Sequence, residues 1–343
     1  MKNYYIADIN AASGIGKYSN DFYRLVLKPK GYIYINSNQP VSDILSEISS
    51  LDTVHLELGI FQKQEIELLF RMTNSNYKNV SVTLHDAPLV KYPFREFRIP
   101  MLNQFSKLFD IWGNFRSALP TLKKLQAIYV LSYKALAAMS AKYNLTNVHY
   151  LPHIIDVNNI ESDALDNKNL LYFGFIGKNK GIEYALKLHE KLLNQHPDVN
   201  FFVVGTALGK QASFLDYLKS RYKKNVFYLG YVPSGELEKV FNNASFAMIL
   251  FKDYKFYWPF SGSILYSLKK GKIIITNKVN AIDELVENEK TGFFISGNLG
   301  EDVKRMTNIF LDKERLKGIQ RNAKETISSK YCANKVAEHL LKL

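Results

Sequence analysis

The sequence predicts two doubly wound α/β domains in series, and three observations lead there. The length of 343 residues exceeds what one ordinary core organises, whereas two domains of roughly 150–170 residues can each bury an interior. Short apolar runs ending in turn residues alternate with segments whose apolar residues recur three and four apart. Strand alternating with helix gives parallel sheet covered on both faces. Between His153 and Lys168 the polar run DVNNIESDALDNKN has no apolar periodicity and reads as a linker. The boundaries expected are a first domain over 1–155, a second over 156–325 and a terminal segment over 326–343.

In the first domain YYIADI (4–9), TVHLEL (53–58), NVSVTLH (79–85), AIYVLS (127–132) and VHYLPH (148–153) read as strands. Asn20–Leu27, Glu65–Met72 and Lys134–Lys142 carry helical spacing. In the second, the strands are NLLYFGFIG (169–177), NFFVVG (200–205), NVFYLG (225–230), FAMILF (246–251), KIIIT (272–276) and TGFFIS (291–296). Helices are expected over 182–195, over Lys210–Arg221 and over 234–244, the last opened by Ser234 as N-cap. YCANKVAEHLLKL at the end is an amphipathic helix.

Composition excludes several classes. With 47% hydrophobic and 22% charged residues the chain is neither disordered nor collagenous. Its single cysteine, Cys332, excludes a disulfide framework and a cysteine-rich metal site. The polar start MKNYYIADIN is unlike a signal peptide, and no window approaches 18 consecutive apolar residues, so the chain reads as cytosolic. A net charge of +13 and a pI near 9.4 favour polyanionic partners. Residues 88–125 concentrate cations such as Lys91, Arg95, Arg98, Lys123 and Lys124 among aromatics such as Phe94, Phe97 and Trp112. That stretch is expected to meet an anionic membrane surface, on its inner face. The plain alternative is aromatic core under a solvated basic face. No nucleic-acid module is recognisable.

Several strand ends carry residues suited to a phosphorylated ligand. SGIGKYS (13–19) puts Gly14 and Gly16 before a helix, where amides and dipole favour an anion. VTLHDAPLV (82–90) ends a strand on His85 and Asp86, and an imidazole can donate to or accept from a ligand hydroxyl. YFGFIGKNKGIEYALKLHEKL (172–192) places Lys178 and Lys180 in a glycine loop between strand and helix. SGS (261–263) heads a further helix. Each alone could be an ordinary turn.

In this order these stretches resemble the retaining family-four glycosyltransferases of GT-B architecture, two Rossmann-like domains facing each other across a cleft. The resemblance spans about residues 10–300 and is strongest over 172–295. It implies that Gly14 and Gly16 form a donor loop, that His85 touches the donor sugar, and that Lys180 and Lys178 neutralise the departing diphosphate. It places Gly230, Tyr231 and Val232 at the nucleotide base and Gly205 at the family's other donor-side strand end. Ser261, Gly262 and Ser263 fall at the diphosphate, and Glu284 in the element after the next strand. Phe175 stands where the family carries arginine. Trp258 and Tyr266 stand at its paired glutamates, so Tyr266 inherits a donor position without the acid. The implied activity is transfer of a sugar from a UDP- or GDP-linked donor to a glycan or lipid-linked acceptor, with retention, in envelope polysaccharide or lipopolysaccharide synthesis. No cofactor and no metal are expected, since no DxD motif ends a strand; the nucleotide sugar is a substrate. A catalytically inactive glycosyltransferase-like partner subunit is the alternative, and a sugar-nucleotide epimerase a third reading.

Overall fold

The structure, a computed structural model, describes residues 1–340 apart from 12, 91–117, 159, 161–164 and 254–257. The basic and aromatic stretch over 88–125 therefore lies mostly outside the described residues, as do Lys91, Arg95 and Arg98. Two compact units partition the chain, each built on a six-stranded, wholly parallel sheet. This is the doubly wound α/β class that strand and helix alternation predicts.

The first unit comprises β1 (Asn3–Ala7), α1 (Gly14–Phe22), β2 (Ile33–Asn36), α2 (Val41–Glu47), β3 (Thr53–Leu58), α3 (Lys63–Asn74), β4 (Val80–Leu84), β5 (Ala127–Val130), α4 (Tyr133–Tyr143) and β6 (Val148–Tyr150). Its strand order is β2-β1-β3-β4-β5-β6, so the winding reverses between β1 and β3. Burial on both faces explains the near-continuous apolar runs of β4 and β5. One face packs Val54, Leu56, Val82, Ile128 and Met139, the other Tyr5, Phe22, Leu27 and Tyr129.

The second unit comprises β7 (Leu170–Phe173), α5 (Ile182–Leu192), β8 (Phe201–Val204), α6 (Ala212–Arg221), β9 (Val226–Gly230), α7 (Ser234–Asn242), β10 (Phe246–Met248), α8 (Gly262–Lys269), β11 (Ile273–Asn277), β12 (Phe293–Ile295), α9 (Leu299–Leu311) and α10 (Lys313–Lys330). Its order, β12-β11-β10-β7-β8-β9, is a doubly wound arrangement that reverses between β7 and β10. The last helix, α11 (Ala333–His339), groups with the first unit, where Val336 and Leu340 join the Tyr5 face. A short run ending at Phe260 groups there too: the Trp258 amide donates to the Ala87 carbonyl at 3.2 Å.

Three local expectations need correction. The strand β2 and helix α2 carry no strong pattern: β2 is a four-residue edge strand, half exposed, so its alternation is diluted. The first helix begins at Gly14 rather than Asn20, because the Ser13 hydroxyl caps it by accepting the Gly16 amide. Ser234 is the first helical residue of α7, not its cap; Pro233 holds the N-cap position in an extended conformation. Most strands also stop short of their apolar runs, since the residues beyond leave the sheet to build strand-end loops.

Candidate functional site

Ligands of doubly wound sheets collect outside the carboxyl ends of the strands, at the reversal of winding. Each unit carries polar groups there.

In the first unit the reversal lies beside β3. Thr53–Leu58 is buried throughout, including the polar residues His55 and Glu57, which alternate and so share one face. Glu57 Oε2 accepts from Nε2 of His85 at 2.8 Å, and Oε1 accepts from the Tyr5 hydroxyl at 3.1 Å. His55 Nε2 stands 3.4 Å from Oε1 and is shared with the Thr83 hydroxyl, while its Nδ1 meets Ser81. Burial alone would raise the Glu57 carboxyl, but the hydrogen bonds from His55 and His85 outweigh it and hold it at about 2. Glu57 is therefore an ionised carboxylate sealed inside the unit. His85 follows the end of β4, its amide donating to the Leu58 carbonyl. The Tyr18 ring lies edge-on between His85 and His153, 4.8 Å and 4.9 Å from them. Burial, helped by His85, pushes His153 down to about 3, so it is neutral and stacks on Phe260 at 4.9 Å.

The glycines of the first loop do different things. A Cβ on Gly16 would sit 2.3 Å from the Ala11 carbonyl oxygen, so glycine is required by the loop's own closure. Gly14 has nothing within 4 Å of such a Cβ. The Gly16 amide is taken by Ser13. Asp86 accepts the Ile60 amide at 3.2 Å and ties the β3 and β4 loops together.

In the second unit the ends of β7 and β8 approach so closely that only glycine fits. Gly205, at φ 144°, would place a Cβ 1.8 Å from the Gly174 carbonyl oxygen. Gly174, at φ 141°, would place one 2.9 Å from the Ser263 hydroxyl. That serine stands in the first turn of α8, whose N-cap Ser261 accepts the Ile264 amide at 3.2 Å. Gly181 caps α5 at φ 61°, packed against Leu250 beyond β10. Just before it, the Lys180 ammonium lies 5.3 Å from the Phe251 ring. Glycine loops, a serine-capped helix start and a lysine thus border the carboxyl ends of β7, β8 and β10, an arrangement suited to a phosphate.

Residues 156–326 match the family model described as glycosyl transferases group 1. Over 176 residues the chain is 24% identical to the uncharacterized glycosyltransferase MJ1607 of Methanocaldococcus jannaschii, covering 50% of this chain and 43% of that protein. It is 20% identical over 183 residues to the putative glycosyltransferase YtcC of Bacillus subtilis, covering 51% of this chain and 44% of that one. The chain thus spans less than half the length of these curated relatives. Among solved structures, Anabaena Alr3699/HepE in complex with UDP superposes with a TM-score of 0.74 at 15% identity, covering 98% of each chain. At that identity the likeness is one of fold.

Within the matched region Gly174 stands against both Gly205 and Ser263, in the first turn of the helix that Ser261 caps, while Lys180 lies further along the same loop beside Phe251. The structure does not gather everything. The Lys178 ammonium turns toward Phe214, 6.0 Å from that ring, and lines an open recess of about 310 Å³ with Glu183, Ser213 and Tyr217. The two lysines therefore serve different walls of the loop. Tyr231 is exposed beyond β9, whereas Val232 packs against Leu237 and Phe241. Tyr266 packs its ring against Phe173 and Phe241. Glu284 lies in a short 3₁₀ turn after β11. Gly14, Gly16 and His85 belong to the first unit.

The residues around His85 escaped the sequence reading. Glu57, His55 and His153 sit in runs that read simply as strands. The available signal was TVHLEL itself: a strand buried on both faces should not carry a histidine and a glutamate two apart unless both are satisfied.

Proposed function

We propose that the chain is a retaining glycosyltransferase, moving a sugar from a UDP- or GDP-linked donor to a glycan or lipid-linked acceptor in envelope polysaccharide or lipopolysaccharide synthesis. The observation that carries this reading is the close approach of Gly174 to Gly205 and Ser263, with Lys180 further along the same glycine loop, inside the region matched by the group 1 model. A departing nucleoside diphosphate develops negative charge, and preoriented amides with one cation can receive it without a metal. Tyr231 and Val232 would lie at the nucleotide base, Gly205 at another donor-side strand end, Ser261 to Ser263 and Lys180 at the diphosphate, and His85 at a sugar hydroxyl. The fold neighbour Alr3699/HepE has been crystallised with UDP and with UDP-glucose, which makes a uridine nucleotide the first ligand to try.

Calorimetric titration with UDP, GDP and ADP, followed by hydrolysis of the matching sugars with and without EDTA, tests the reading. Saturable binding of one nucleoside diphosphate and EDTA-insensitive hydrolysis of its sugar are expected. No binding of any of the three would sink the reading and favour an inactive partner subunit. The basic stretch over 88–125 is proposed to hold the protein on the inner face of an anionic membrane. Vesicles containing anionic lipid should float the protein at low salt, and replacing Lys91, Arg95 and Arg98 by Glu should release it while nucleotide binding persists.

A further inference from the structure

The buried carboxylate behind His85 decides what that histidine can offer a ligand. Glu57 has no exposed side-chain surface, while the His85 side chain keeps 8% of its own. Ionised, Glu57 is an acceptor only, so the 2.8 Å contact to Nε2 requires a proton on Nε2. In the neutral ring Nδ1 then carries the lone pair. The ring cannot easily turn to exchange the two nitrogens, because Tyr18 abuts it edge-on at 4.8 Å with neutral His153 beyond. Glu57 in turn is held by Tyr5 and by His55, itself pinned by Ser81 and Thr83. A chain of buried hydrogen bonds, starting in the sheet, therefore ends on one ring nitrogen at the strand end.

From this we infer that Glu57 is a positioning residue that fixes His85 as the Nε2–H tautomer, so that Nδ1 accepts a hydrogen bond from a ligand hydroxyl. His85 is then an acceptor site, and it selects a hydroxyl that donates over a carbonyl or ether oxygen that cannot. The inference rests on the glycosyltransferase reading for the identity of that hydroxyl, a sugar's. It does not rest on that reading for the tautomer.

The test has two arms. Long-range ¹H–¹⁵N correlation on the whole protein, with His85 assigned by its loss in His85→Gln, reads the tautomer without any substrate. A protonated Nε2 and a bare Nδ1 are expected; a proton on Nδ1, whether alone or together with one on Nε2 in an imidazolium, overturns the inference while leaving any transfer activity untouched. In the kinetic arm, Glu57→Gln should lower kcat/KM at least tenfold while nucleoside diphosphate affinity changes less than twofold. The same substitution in the His85→Gln background should then change kcat/KM less than twofold. Equal losses in both backgrounds would show that Glu57 acts on folding alone. Where Glu57→Gln does not fold, the spectrum of the unaltered protein decides. Absence of nucleotide binding would remove the proposed function and leave the tautomer standing, so the two failures are distinguishable.

Discussion

At the strand ends of the first unit the polar atoms belong to side chains, and Glu57 and His55 are sealed from water. At those of the second unit the space is shaped by glycine backbone, with hydroxyls and an ammonium at its edge. The two units share a parallel doubly wound sheet of six strands and differ in what occupies its reversal. A network of titratable side chains should respond to pH and be broken by removing one partner. A backbone cradle should be nearly indifferent to pH and be broken by adding one carbon. The same topology can reserve its strand ends for a rigid, directional contact or for an anion.

The largest expected effect is steric. Gly205→Ala must push its Cβ against the Gly174 carbonyl and should destabilise the second unit by more than about 3 kcal/mol in urea unfolding. Gly209→Ala, also at positive φ but with open space around its Cβ, should cost only about 1 kcal/mol. Similar costs for both would mean the close approach is not rigid. Next is Lys180→Ala, which should lower turnover by about two orders of magnitude, roughly 3 kcal/mol, with an unchanged melting temperature. Near-normal turnover would make that lysine a solvated surface group and weaken the contrast between the units.

Acid should act on the strand ends of the first unit, because the second unit's buried His189, also lowered by burial, packs on Phe201 at the opposite end of β8. His153 stands at about 3 against an ordinary 6.5, a lowered value, so the stability it confers is complete above pH 6.5 and is lost as pH falls toward 3. Glu57, at about 2 against an ordinary 4.5, contributes fully above pH 4.5 and loses its share as pH falls toward 2. Hydrogen exchange in β3 and β4 should accelerate first through the His153 range and then through that of Glu57. His153→Gln should flatten the first limb, worth about 2 kcal/mol between pH 6.5 and 4.5. Equal acid sensitivity at the carboxyl ends of β7 and β8 would erase the distinction. The smallest effect belongs to Gly14→Ala. Its open surroundings at the first helical position allow alanine at no cost or with a gain of about 0.5 kcal/mol in urea unfolding.

Much of this was legible in the residues. Strand and helix alternation determined the fold class, because a parallel sheet needs covering helices and so writes both periodicities into the chain. The loop GKNKG and the SGS step could be placed at helix starts for the same reason. His85 was legible as the residue ending an apolar strand. What only the tertiary structure decided is partnership. The 2.8 Å contact from His85 to Glu57 joins residues 28 apart in sequence, and it exists because β3 and β4 are neighbours with Glu57 opposite Thr83 in register. The demand for glycine at 205 comes from the Gly174 carbonyl on an adjacent strand, and no local pattern encodes that approach. Lys178 and Lys180, two positions apart, reach different rings because Phe214 lies on α6 and Phe251 lies beyond β10. Periodicity reports which side of an element is buried; only the packed sheets determine which buried atom meets which.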